Sequence, residues 1–127
     1  MPRTPRPRSY SDVQREIGNR IRWARELVIP NRAEFARLEG IDPSTIAKIE
    51  DGSRPPSVFN VIGFARRLRV SADYILFGSM RGVDSELAAL LALHHPELVR
   101  RTDTRPDHTG HMAPEGDRHQ QPMKRAQ

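Results

Sequence analysis

Five histidines, His94, His95, His108, His111 and His119, and a scatter of serines are the residues of this chain on which catalysis or metal binding would draw. Such chemistry depends on spacing. Zinc sites take Cys and His at recurrent short intervals, but the chain has no cysteine and its histidines share no ligand spacing. Its serines and histidines assemble no nucleophile, base and oxyanion donor, and no Gly-rich phosphate loop appears. The sequence therefore points away from an enzyme, and no metal or cofactor is expected. What recurs is arginine, whose planar fork of donors matches phosphate oxygens.

The bulk numbers agree. Among 127 residues the formal net charge is +5, and the isoelectric point is about 10.6, a balance that favours an anionic partner such as nucleic acid. Hydrophobic residues make up 36% and aromatics 6%, so a core must be small and mostly aliphatic, which suits short helices better than a large sheet. Trp23 and Tyr74 are too few and too separated to stack successive single-stranded bases, so they read as core or interface fillers. No apolar run approaches the ~20 residues that span a bilayer, and the basic start "MPRTPRPRSYSD" is not followed by one. The chain reads as soluble and cytoplasmic, with no membrane partner.

Residues 1–11 form a basic, Pro-rich arm in which Arg3, Arg6 and Arg8 alternate with prolines that disfavour helix. Ser11 or Asp12 then caps a first helix, whose Ile17, Ile21, Ala24 and Val28 recur at helical spacing. Ile29-Pro30 stops it, and Asn31 caps a second helix over 32–39, with Glu34 placed for a capping box. Asp42-Pro43 starts a third helix that runs to Asp51 and ends at Gly52, with Ile46 and Ile49 inward. A fourth helix starts near Ser57 and carries Val58, Val61, Ile62, Ala65 and Leu68 at three- and four-residue spacing; a fifth, from Ser71, closes the core before Gly78. Residues 83–101 predict a further helix, breakable at His95-Pro96, whose Leu87, Leu90, Leu91 and Leu98 need cover and favour a dimer contact over self-packing. Residues 102–127 are too polar to repay their ordering entropy and are expected to be a disordered tail.

Three segments, "IGNRIRWAR", "NRAEFARLEGIDPSTIAKIEDG" and "RPPSVFNVIGFARRLRVSADYILFG", resemble the Cro and repressor-type helix-turn-helix domain, the XRE-like family. The resemblance covers residues 12–78, and Ala36, Gly40 or Ile41, Ile46, Ile49, Glu50 and Gly52 carry it. It implies an all-α fold, a five-helix lambda-repressor-like domain with an extra C-terminal helix and a disordered tail. It also implies sequence-specific binding of double-stranded DNA, with residues 43–51 in the major groove and repression of transcription as the expected mode. By family position Pro43, Ser44, Ala47 and Lys48 face the bases; Lys48 can donate to guanine, and Ala47 can touch a thymine methyl. Phosphate contacts would come from Arg25, Asn31, Arg32, Thr45 and Arg54. Glu50 is expected to be structural, pairing with Arg20. Pro43 stands where relatives often carry a long amide or Arg, Arg32 replaces a common Gln, and Ile29 replaces a usual Gly.

The implied partner set is DNA and a second copy, with half-sites about 34 Å apart. Four neutralised phosphates per subunit would give a dimer a salt slope of roughly -7. The alternative is an antitoxin-like module that neutralises a partner protein, held through the 83–101 helix or the tail, and regulates its own synthesis.

Overall fold

Every helix of the computed structural model, which describes residues 8–99, begins on a side-chain oxygen that accepts a backbone N–H of its first turn. The six caps are Ser9, Asn31, Asp42, Ser57, Ser71 and Asp84. They start α1 (Tyr10–Val28), α2 (Arg32–Glu39), α3 (Pro43–Asp51), α4 (Val58–Leu68), α5 (Ala72–Phe77) and α6 (Ser85–His94). One more helical turn begins at residue 97, and no strand occurs among the described residues. The fold is all-α, as the resemblance implied.

Side chains from all six helices meet in one core. Ile17, Ile21 and Ala24 of α1 pack with Phe35 and Ala36 of α2, Ile46 and Ile49 of α3, and Val61, Phe64 and Leu68 of α4. Tyr74 and Ile75 close one side, and Leu87, Leu91 and Leu98 extend the core over the far end of α1. The Phe35 and Phe64 rings sit 5.1 Å apart and tilted by 52°, an edge-biased contact of the kind aromatic quadrupoles favour. A polar clamp fastens α1 to α5. Tyr74 Oη donates to the Arg20 carbonyl at 2.7 Å, and Arg20 donates to the Ile75 and Leu76 carbonyls at 2.9 Å each. Burial pushes the Tyr74 hydroxyl well above the ordinary tyrosine range, so it stays a donor.

Several boundaries differ from the sequence reading. The first cap is Ser9, not Ser11 or Asp12, because Asp12 serves as the return partner: Ser9 Oγ accepts from Asp12 N and Asp12 Oδ2 accepts from Ser9 N. Tyr10 and Ser11 are thus helical, and Arg8, expected to belong to a free arm, pairs with Glu16. Asn31 does cap α2, but Glu34 turns to Arg37 and does not complete the box. In α4 the inward face is Val61, Phe64 and Leu68. Val58 and Ile62, at the same helical spacing, are 71% and 44% exposed and so lie off the packed face. The sixth helix ends at His94, and its Leu87 and Leu91, with Leu98 beyond, pack on the chain's own core. Leu90 of the same stripe stays 41% exposed. Trp23 stacks on His95 with centroids 4.1 Å apart and planes 14° from parallel, and burial pushes the His95 pKa down. The remainder of the arm (1–7) and the expected tail (102–127) lie outside the described residues.

Two glycines set how α3 sits on α1. A Cβ built on Gly18 would stand 2.3 Å from the Ile49 carbonyl oxygen and 2.6 Å from that of Glu50, so only a hydrogen lets the end of α3 approach α1. Gly52 ends α3 at φ +85°, and a Cβ there would meet the Arg15 backbone at 2.7 Å. Helix propensity alone would make Gly18→Ala stabilising by up to ~1 kcal/mol. Because the methyl has no space, the variant is instead expected to lose about 1–3 kcal/mol, read as a lower midpoint in thermal or urea unfolding. A raised midpoint would show that the two helices are not in such close contact.

Candidate nucleic-acid interface

The α2–turn–α3 unit presents α3 with one face in the core and the other outward. Ile46 and Ile49 are buried; Pro43, Ser44 and Lys48 are exposed, and Thr45 and Ala47 half-buried beside them. All four expected base-facing residues therefore share the outer side. Ser44 is already committed as a donor: its Oγ and its backbone N both give hydrogen bonds to Asp42 Oδ1 at 2.9 Å. What Ser44 offers outward is lone pairs, which suit the amino group of cytosine or adenine.

Electrostatics narrows where an anion can approach. The Ser44 amide and hydroxyl, with Lys48 beyond, hold the Asp42 carboxyl below the usual range. Ser53 does the same for Asp51 through its hydroxyl and amide, helped by Arg32 and Lys48. Ionised carboxylates thus flank α3 at both ends. The exposed cations left around α3 are Arg32, Lys48 and Arg54. Arg54 is exposed, and Arg32 is 45% exposed with only its Nε engaged, at 3.1 Å from Glu50 Oε1. Asn31 is exposed at the start of α2, its side-chain oxygen occupied by the Glu34 amide.

Two expected roles are corrected. Arg25 is no phosphate ligand: its side chain is 4% exposed, and it donates to Glu50 through Nε at 2.5 Å and Nη2 at 3.2 Å. Its Nη1 donates to the Ile29 and Pro30 carbonyls, which closes the α1–α2 turn. Glu50 is structural as expected, but its partners are Arg25 and Arg32; the Nε and Nη2 of Arg20 donate to the α5 carbonyls of Ile75 and Leu76. Sequence reasoning also missed Gly18 and the brace by which Arg67 reaches Glu39 Oε2 and the Leu38 carbonyl, fastening α4 to the end of α2. A signal for Arg25 existed, since it falls four residues after Ile21 on the buried side of α1. Among the described residues no group of acidic side chains and histidines is arranged to hold a metal, and no helix is long and apolar enough to cross a membrane.

Residues 21–75, which contain α2 through most of α5 and the whole outward face of α3, match the family model described as Helix-turn-helix. Comparison with curated proteins and with solved structures gives no match.

Breaking a buried ion pair from one side is costly because the other charge stays behind. Arg25→Met is expected to cost about 3–5 kcal/mol in urea unfolding, and adding Glu50→Leu to recover much of that. A loss well under 1 kcal/mol for the single variant would contradict the pairing. Asp42 carries a pH signature. Its folded pKa is depressed below the ordinary 3.8, so its contribution is complete above that value and disappears as pH falls through the folded one. The stability difference between parent and Asp42→Asn should therefore be constant at neutral pH and shrink on acidification below about pH 4.

Proposed function

Because residues 21–75 form a Cro- and repressor-type (XRE-like) helix-turn-helix domain, a DNA-binding unit of transcription regulators, we propose that this chain is a cytoplasmic repressor that reads operator DNA with α3. The carrying observation is the outward row of Pro43, Ser44, Ala47 and Lys48, set between Arg32 and Arg54 and bounded by two carboxylates. An α-helix fits the ~12 Å major groove, and α2 then lies across the backbone. Lys48 donates to guanine O6 or N7. Ser44 accepts from an adenine or cytosine amino group, and Ala47 packs on a thymine methyl. Arg32, Arg54, Asn31 and Thr45 take phosphates, which position the helix without reading sequence.

One such helix reads little. A homodimer on two half-sites about 34 Å apart doubles the readout, and DNA shape supplies the rest. Bound over a promoter, the dimer represses by excluding polymerase. The antitoxin-like alternative has one observation in its favour, the exposed apolar Val58 and Phe59 at the start of α4. Lys48→Glu separates the two readings, since it abolishes repression but spares the capture of a partner protein.

Selection from a random duplex pool, followed by footprinting, tests the proposal directly. A symmetric site is expected, and equal affinity for all duplexes would overturn the reading. With Arg25 internal, two arginines per subunit meet phosphate, so the dimer's salt slope should be roughly -4, not -7. Lys48→Ala should relax preference at one base pair per half-site by about 1–3 kcal/mol. Arg54→Ala should weaken all sequences alike and flatten the salt slope by about 1 per subunit.

A further inference from the structure

The sequence of α6, SELAALLALH, is apolar on nearly every side. Leu87 and Leu91 face the chain's own core, but Leu90 is 41% exposed and Leu93 73%. A helix without a polar face is one that is covered all round. We propose that its outward face is the seam at which a second copy of this chain docks, antiparallel, about a two-fold axis beside Leu90.

Charge placement selects this occupant. Glu86, Leu90 and His94 follow one another at four-residue spacing, so they share a face. About a two-fold axis at Leu90, Glu86 of one copy meets His94 of the other, and the contact is made twice, as an isologous interface requires. Arg69 adds a second complementary pair. It lines, with Leu27, Val28, Glu86 and Leu90, a cleft of about 290 Å³ at the start of α6. Its nearest acid, Asp84, is 4.0 Å away, so the guanidinium is loosely held. The antiparallel arrangement brings the end of the other α6, and the half-exposed Glu97 three residues beyond it, 3.9 Å from its own His95, toward that place. The rival apolar patch, Val58, Phe59 and Ile62 on α4, fails the same test. Exposed Arg66 shares a face with Phe59 and Ile62, and a two-fold axis there would set arginine against arginine.

The seam is short. Ten residues of helix extend ~15 Å, and a stable interface takes about 800 Å² from each side. The free dimer should therefore dissociate readily and be strengthened when DNA holds two copies side by side. This inference rests on the two-copy reading above, and the test separates them.

The chain has no cysteine, so single cysteines report proximity. Helices packed 8–10 Å apart place two Leu90→Cys residues on the axis within disulfide reach. Under diamide, Leu90→Cys is expected to run at twice the chain mass and Phe59→Cys at the single mass. Leu90→Glu, an exposed site that leaves the helical circular dichroism intact, should weaken self-association in sedimentation by about ten-fold or more. It should still bind one half-site. If the parent sediments as a dimer while Leu90→Cys does not cross-link, the seam is wrong and the two-copy reading stands. If the parent stays single both free and on DNA with two half-sites, both fall.

Discussion

A carboxylate with no access to water holds this domain in register. Glu50 sits at the end of α3 with 2% of its side chain exposed and receives three N–H donors, two from Arg25 and one from Arg32. A charge so placed needs every one of them, because the interior offers little other solvation. The consequence is geometric. Arg25 spends its remaining edge on the Ile29 and Pro30 carbonyls, so one guanidinium joins the body of α1, the α1–α2 turn and the end of α3. Apolar packing tolerates sliding; a bidentate fork does not. With Gly18 letting the α3 backbone press against α1, the angle at which α3 leaves the core is fixed from two directions.

The same bond changes what the chain's positive charge means. Its net +5 suggests many phosphate ligands, yet much of that charge is already engaged near α2 and α3. Arg25 is internal, Arg37 is paired with Glu34, Arg15 with Asp12, and Arg67 with Glu39. Exposed pairs such as Arg37–Glu34 add little stability, but they cancel field where DNA would approach. The residual cations are concentrated at Arg32, Lys48 and Arg54, with ionised Asp42 and Asp51 excluding phosphate between them. On the proposed reading, such an arrangement would trade overall affinity for a fixed register on the DNA backbone.

The elements that local chemistry decides were legible in the sequence. Asn31, Asp42-Pro43, Ser57 and Ser71 each start a helix where their side chains suggest, and α2 and α3 have the bounds that caps and spacing give them. What needed the tertiary structure was the choice among equivalent residues. Arg20 and Arg25 both flank the apolar stripe of α1, and nothing in their neighbours says which one turns to Glu50 and which to the α5 carbonyls. The answer depends on where α3 and α5 cross α1. Likewise Val58, Ile62 and Phe64 all fit a helical period, and only the packing of α4 on Phe35 selects Phe64. The candidate site was legible on its outer face, since Ile46 and Ile49 fix the phase of a nine-residue helix. It was not legible in its arginines, whose reach exceeds what spacing can constrain.

Arg32 is where scaffold and function share a side chain. Its Nε is held by Glu50 while nearly half of the side chain faces solvent. An arginine free in water gives up about 2 kcal/mol of rotamer entropy when it is fixed, and much of that has been surrendered here before any phosphate arrives. Glu50 therefore positions the cation at the head of α2, which the proposed reading sets against a phosphate. Arg25 and Arg32 thus share one carboxylate, and Arg32 is the partner that also reaches solvent. Lys48 is exposed on the outer side of α3, away from that buried pair. If α3 reads bases as proposed, substitutions on its outer face can change that reading while the Arg25–Glu50 frame stays intact.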